Sequence, residues 1–327
     1  MKTEYISANT DGDNAIRRAV ELLREAEAIA LPTETVYGLA ADALREEAVL
    51  KIFAAKSRPR FDPLIVHLPD LEWAERIAVM DESVGPIFDR LRNRFWPGPL
   101  TFVFPRRPVV PDIVTAGLET VAIRLSSHPI FAKIARAFGG PLAAPSANQF
   151  GRISPTSAEH VRDELDGLIP LIVDAGPTAH GLESTIIALR NERIEVLRRG
   201  PVTEEQLAEF GKVIVLGATQ HPEAPGQLPT HYAPRTPLVL LDDAATFMCP
   251  AGKRCGLLSW KAEGLDRFVE VRRLSERQNV ADAAANLFRR LRELDDQSLD
   301  LIVAEKLPDE GLGAAINDRL RRAATRN

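Results

Sequence analysis

Short apolar runs alternate with amphipathic segments through the first 215 residues, and this alternation restricts the fold more than any other feature of the chain. Residues 15–28 place Ala15, Ile16, Ala19, Leu22, Leu23 and Ala26 at helical spacing with charges between them. Residues 28–31 form a strand-length apolar run stopped by Pro32. A helix is predicted over 46–56, strands over 63–68, 100–104 and 121–125, and a helix over 129–138 with Pro129 in its first turn. Further strands are predicted over 168–174 and 184–189. Helices interleaved with strands mean an α/β layered fold, not a sandwich or a bundle. Several successive strands have no helix between them, so the sheet is expected to be mixed.

The pattern breaks at 217–237, which carries Gly217, Pro222, Pro225, Gly226, Pro229, Pro234 and Pro237, and then restarts. Strands are predicted over 238–242, 256–260, 268–274 and 299–304, with helices over 280–294 and 314–324. The expected organisation is a catalytic α/β domain over 1–216, an interdomain linker or lid over 217–237, and a smaller Rossmann-like α/β domain over 238–327.

Composition excludes some functions. A net charge of −5 argues against a sequence-independent nucleic-acid binder. Of 41 cationic side chains, 8 are lysine and 33 arginine, the residue whose planar fork matches carboxylates and phosphates. Two cysteines, Cys249 and Cys255, make neither a disulfide framework nor a zinc site, and are expected as reduced thiols of a cytoplasmic protein. The first 14 residues are polar and do not read as a signal peptide, and no apolar run reaches about 20 residues. There is no phosphate-binding Gly-x-x-x-x-Gly-Lys-Ser/Thr loop. The stretch 311–316 lacks the third glycine of a dinucleotide fingerprint and reads as a turn into the last helix.

Several segments carry polar chemistry. Pro32-Thr33-Glu34-Thr35-Val36-Tyr37-Gly38-Leu39 puts short hydroxyls after a buried strand, which suits either a capping turn or a polar ligand. Lys56-Ser57-Arg58-Pro59-Arg60 gathers three cations at a helix end, where an anion would relieve their repulsion. Trp96-Pro97-Gly98-Pro99-Leu100-Thr101 reads as a structural turn into a strand. Thr120 and Arg124 share a strand face. Arg124 either pairs with a buried acid or holds a ligand carboxylate. Residues 141–151 combine small residues with Ser146 and Asn148, and Ser154-Pro155-Thr156 is expected to cap the next helix. Residues 181–186 again place hydroxyls at a strand start, and Leu197-Arg198-Arg199-Gly200 ends a later strand.

In this order, the stretches 32–39, 56–67, 96–100, 120–129, 143–156, 181–186 and 197–200 resemble the YrdC-like threonylcarbamoyl-AMP synthase family. His231-Tyr232-Ala233-Pro234 and the trailing domain resemble its long, two-domain form. The resemblance implies a YrdC-like twisted mixed sheet and a nucleotidyltransferase. Its substrates are ATP, L-threonine and bicarbonate, and its products threonylcarbamoyl-AMP and pyrophosphate. A separate transferase then modifies tRNA. Use of ATP implies Mg2+, whose ligands the resemblance does not assign.

By that resemblance Lys56 and Arg58 hold ATP phosphates and are the catalytic pair, and Asp62, Thr120, Ser146, Asn148, Ser154, Arg198 and Tyr232 line the nucleotide. Thr35, His67, Arg124, the backbone at Ala144, and Ser184 hold threonine, with Arg124 clamping its carboxylate. Tyr232 would close a lid over the nucleotide. Two departures stand out. Asp62 replaces the family's usual asparagine, a charge that Mg2+ or Arg60 would have to offset, and residues 226–230 lack the usual basic, tyrosine-containing stretch. A tRNA-binding protein using Lys56, Arg58 and Arg198 is the rival reading. A carbamoyl-transfer enzyme of hydrogenase maturation is a third, for which the chain lacks the cysteines and the extra modules.

Overall fold

A computed structural model describes residues 2–81, 84–217, 223–228, 231–261 and 265–325. Parts of the expected linker, residues 218–222 and 229–230, lie outside the described residues. The chain divides into two compact units. The larger comprises Met1–Phe150, Pro155–Ala179 and Glu183–Leu228, and the smaller Gly151–Ser154, His180–Leu182 and Pro229–Asn327.

The larger unit is built on β1 (Glu4–Ser7), β2 (Ile29–Leu31), β3 (Gly38–Asp42), β4 (Ile65–His67), β5 (Leu100–Pro105) and β6 (Thr120–Arg124). It continues with β7 (Leu142–Ala143), β8 (Leu171–Asp174), β9 (Thr185–Arg190), β10 (Arg193–Arg198) and β11 (Lys212–Val215). These form a single sheet in the order β1-β8-β2-β3-β7-β4-β6-β5-β9-β10-β11. The pairing is mixed, as the sequence predicts: β4–β6 and β5–β9 run parallel, β5–β6 and β9–β10 antiparallel. Strands β2 and β4 are buried throughout, which is why they read as unbroken apolar runs rather than alternating ones. One core packs the helix Glu46–Lys56 through Val49, Ile52 and Phe53 against Leu39, Val66 and Phe102. A second packs the helices Gly12–Arg24 and Pro129–Phe138 against Ile29, Leu31 and Val173.

Several expectations need correction. The first helix ends at Arg24, because Ala26 turns into the left-handed region at φ 57°. The polar N-terminus contributes β1, an edge strand beside β8. Helices Glu72–Ile77 and Gly85–Phe95 carry too many charges to stand out by periodicity and were not expected. The helix Ala158–Leu165 is capped not by Ser154 or Thr156 but by Ser157, which accepts from the His160 amide. The last helix, Gly311–Ala324, begins at the glycine read as a turn.

The smaller unit holds β12 (Leu238–Leu241), β13 (Cys255–Ser259), β14 (Glu270–Arg273) and β15 (Leu301–Glu305). They form an all-parallel sheet in the order β12-β15-β13-β14, with helices Val280–Asp295 and Gly311–Ala324. This is the Rossmann-like α/β domain expected from sequence.

Candidate active site

In the larger unit, polar side chains collect where β4 and β6 end. Parallel strands leave a crevice beyond their carboxyl ends, and loops there position ligand-binding groups. His67 closes β4 and Arg124 closes β6, in register with each other. Antiparallel β5 puts Thr101 opposite Arg124, and parallel β9 begins immediately after Ser184.

Arg124 is buried, and the structure resolves which partner it takes. Its Nη2 donates to Glu34 at 2.6 Å, its Nη1 to the Thr35 hydroxyl at 3.0 Å, and its Nε to the Gly98 carbonyl at 3.2 Å. The Ser126 hydroxyl donates to the other Glu34 oxygen. Burial pushes the Glu34 carboxyl up, but the Arg124 charge and the Ser126 and Arg124 hydrogen bonds outweigh it and hold the group at about 2. His67 is buried 4.9 Å from the Phe131 ring and its Nδ1 has no hydrogen-bond partner. Burial, reinforced by the Arg124 charge, lowers its pKa to about 3, so the ring is neutral at pH 7.

The cationic segment is also buried. Lys56 donates through Nζ to the carbonyls of Ser146, at 2.6 Å, and Asn148. This ties the end of its helix to the small-residue loop after β7. Burial and then the Arg58 charge pull the ammonium down to about 7. Arg58 forms an ion pair with Asp62 at 2.8 Å and donates to the Pro63 carbonyl at 2.9 Å. The cation that offsets Asp62 is therefore Arg58; Arg60 is exposed. Burial raises the Asp62 carboxyl, and both of its oxygens lack a well-formed hydrogen bond despite the ion pair.

Arg198 joins the two groups. Its Nε donates to the Ser184 carbonyl and its Nη2 to the Ser184 hydroxyl, both at 3.0 Å. The Ser184 and Thr101 hydroxyls are 2.8 Å apart. Ser184, expected on the threonine side, thus touches Arg198, expected on the nucleotide side. Ser146 bridges to Gly38, and the Ala144 amide donates to Ile65, so both loop residues flank the same strands.

Not every expected residue joins this cluster. Thr120 begins β6, four residues or about 13 Å along the strand from Arg124. Ser154 and Tyr232 belong to the smaller unit. There Tyr232 adopts φ 66°, stacks on Phe288 at 5.6 Å between ring centroids, and lies beneath Arg319 at 5.0 Å. Sequence reasoning passed over Glu34, Ser126 and Thr101. An arginine on an apolar strand signals a buried acid, and Glu34 is the acid; Thr101 was read as part of a turn. Among the described residues no three His, Cys, Asp or Glu side chains gather as a metal site. Asp62 is the carboxylate beside Lys56 and Arg58, and a lone carboxylate would suit only a Mg2+ bound chiefly by phosphate oxygens and water.

A mixed sheet whose strand ends carry buried arginines and hydroxyls, with a buried lysine at a neighbouring helix end, defines an α/β enzyme for small anionic substrates. The family model described as "Telomere recombination", covering Sua5, YciO and YrdC, matches residues 21–200. The model described as "Threonylcarbamoyl-AMP synthase, C-terminal domain" matches residues 202–325. The chain belongs to the Sua5/YrdC family. It is 41% identical to the threonylcarbamoyl-AMP synthase of Bacillus subtilis over 98% of this chain and 95% of that one. It is 38% identical to that of Pyrococcus abyssi over 94% of each. The crystal structure of P. abyssi Sua5 complexed with L-threonine matches with a TM-score of 0.88 and 36% identity over 98% of both chains.

Proposed function

We propose that this chain condenses L-threonine, bicarbonate and ATP into threonylcarbamoyl-AMP and pyrophosphate, the first step of N6-threonylcarbamoyladenosine formation in tRNA. The observation that carries the reading is the hydrogen-bonded contact between Ser184 and Arg198, which joins a carboxylate-handling group to a phosphate-handling one. The chemistry needs that junction. The neutral threonine amine adds to CO2 with loss of a proton, or to bicarbonate with loss of water, to give a carbamate, whose oxygen attacks the α-phosphorus as pyrophosphate leaves. Such a displacement depends on positioning and charge neutralisation rather than on a nucleophilic side chain.

Arg124 takes the threonine carboxylate, with Thr35, Ser184 and the Ala144 backbone around it. Neutral His67 offers threonine a hydrogen-bonding nitrogen without adding charge. Lys56, Arg58 and Arg198 neutralise the triphosphate, and Asp62, Ser146 and Asn148, on the same unit, line the nucleotide beside them. Mg2+, bound with ATP, would supply counter-charge to the phosphates. The product passes to a separate threonylcarbamoyl transferase acting on tRNA, in the cytoplasm. No helix among the described residues is long and apolar enough to cross a membrane.

The test is pyrophosphate release from ATP and Mg2+, omitting L-threonine and bicarbonate in turn. Release that needs both is expected. Release indifferent to threonine would overturn the reading.

A further inference from the structure

Thr101 lies in β5 with no exposed surface, and nothing in the proposed reaction uses it. Among the described residues its hydroxyl has one partner, the Ser184 hydroxyl at 2.8 Å. The Ser184 Oγ also accepts from Arg198 Nη2 at 3.0 Å. Arginine only donates, so one lone pair of Ser184 is committed.

The two hydroxyls can then be arranged in two ways. If Ser184 donates to Thr101, the Thr101 proton is left in the strand interior without an acceptor. If Thr101 donates to Ser184, both Ser184 lone pairs are filled and the Ser184 proton is the one left to give away. A buried donor without an acceptor is costly. The second arrangement becomes fully satisfied once an oxygen anion reaches Ser184. With both lone pairs filled, Ser184 can only donate to the substrate and cannot accept from an ammonium group.

We propose that Thr101 is a positioning residue: by donating to Ser184, it turns the Ser184 hydroxyl proton toward a carboxylate oxygen of threonine. This rests on the placement of Ser184 beside threonine. It also gives a direction to binding. The carboxylate of the substrate faces Ser184, which leaves the amine free to carry the carbamate toward the α-phosphorus.

Thr101→Val keeps the branched shape and removes the donor, whereas Thr101→Ser keeps the donor. The valine variant is expected to raise the KM for L-threonine by about 3- to 10-fold, the range of one neutral hydrogen bond, and to leave the KM for ATP near its starting value. The serine variant should return the threonine KM to within about two-fold of the parent. In a Ser184→Ala background, Thr101→Val should add nothing further, because the hydroxyl it orients is gone.

A valine variant with an unaltered threonine KM, or with equal rises in both KM values, overturns the role of Thr101. A Ser184→Ala variant with an unaltered threonine KM overturns the placement of Ser184, and the proposal with it. If the valine variant does not fold, Thr101→Ala is measured against Thr101→Ser with the same criteria.

Discussion

Burial decides the charge state of Lys56, the side chain proposed above to meet a phosphate. Its ammonium is lowered from 10.5 to about 7, first by burial and then by Arg58. Between those values the unfolded chain binds a proton that the folded chain does not, so this group favours the fold increasingly as pH rises through the window. A bound triphosphate reverses the balance by favouring the ammonium. ATP binding at pH 8 is therefore expected to take up close to one proton, read by calorimetry in buffers of different ionisation enthalpy. Binding with no proton uptake would contradict the placement of Lys56 against phosphate. Glu34 runs the other way. Its carboxyl is held at about 2, below the ordinary 4.5, so its contribution is complete above pH 4.5 and is lost as pH falls toward 2. Glu34→Gln leaves Arg124 buried without its carboxylate, and a loss of about 3–5 kcal/mol in chemical denaturation is expected. On the proposed placement the L-threonine carboxylate pairs with Arg124 and should recover part of it; an unchanged midpoint would count against the pair. Asp62 occupies the Arg58 guanidinium at 2.8 Å. Asp62→Asn frees that fork, so the KM for ATP should fall, and a rise would show that the carboxylate assists binding.

At the scale of elements, close backbone approach fixes the Ser184 turn. A Cβ on Gly200 would lie 2.5 Å from the Glu183 carbonyl oxygen and the Thr185 amide nitrogen, neither of which can swing aside. Gly200→Ala is expected to cost about 1–3 kcal/mol and to raise the KM for threonine by displacing Ser184. A stable variant with normal kinetics would show that the turn tolerates the shift. The same elements mark what the sequence can reveal. Strands β2, β4, β6 and β9 were legible because burial on both faces leaves continuous apolar runs. The helix Gly85–Phe95 was not, because Asp89, Arg90, Arg92 and Arg94 crowd a segment whose buried face is only Phe88 and Leu91. Lys56, Arg58, Arg124 and Ser184 stand out in the sequence, but their pairings do not. Glu34 meets Arg124 across 90 positions, and Thr101 meets Ser184 across 83. Spacing along a chain carries no trace of contacts that only a mixed sheet creates. Asp62 shows the same limit locally: the sequence marks an extra charge, and only the fold shows that Arg58 rather than Arg60 balances it.

Over the whole molecule, the distribution of cations separates an enzyme for small anions from an RNA-binding surface. The net charge is −5, so the chain as a whole does not attract a polyanion. The four cations that matter, Lys56, Arg58, Arg124 and Arg198, are 1%, 7%, 3% and 6% exposed. A nucleic-acid backbone neutralises side chains that reach out to successive phosphates, and affinity built that way falls steeply with salt. Side chains this deeply buried meet only an anion small enough to enter. The tRNA is then the final destination of the threonylcarbamoyl group and not a participant in adenylate formation. Pyrophosphate release is expected to proceed at the same rate with and without tRNA, at low and at physiological ionic strength alike. Titration of labelled tRNA should show no strongly salt-dependent binding. Tight tRNA binding that weakens steeply with salt, and that Arg58→Ala or Arg198→Ala abolishes, would instead place these cations on an RNA path and make the adenylate chemistry secondary.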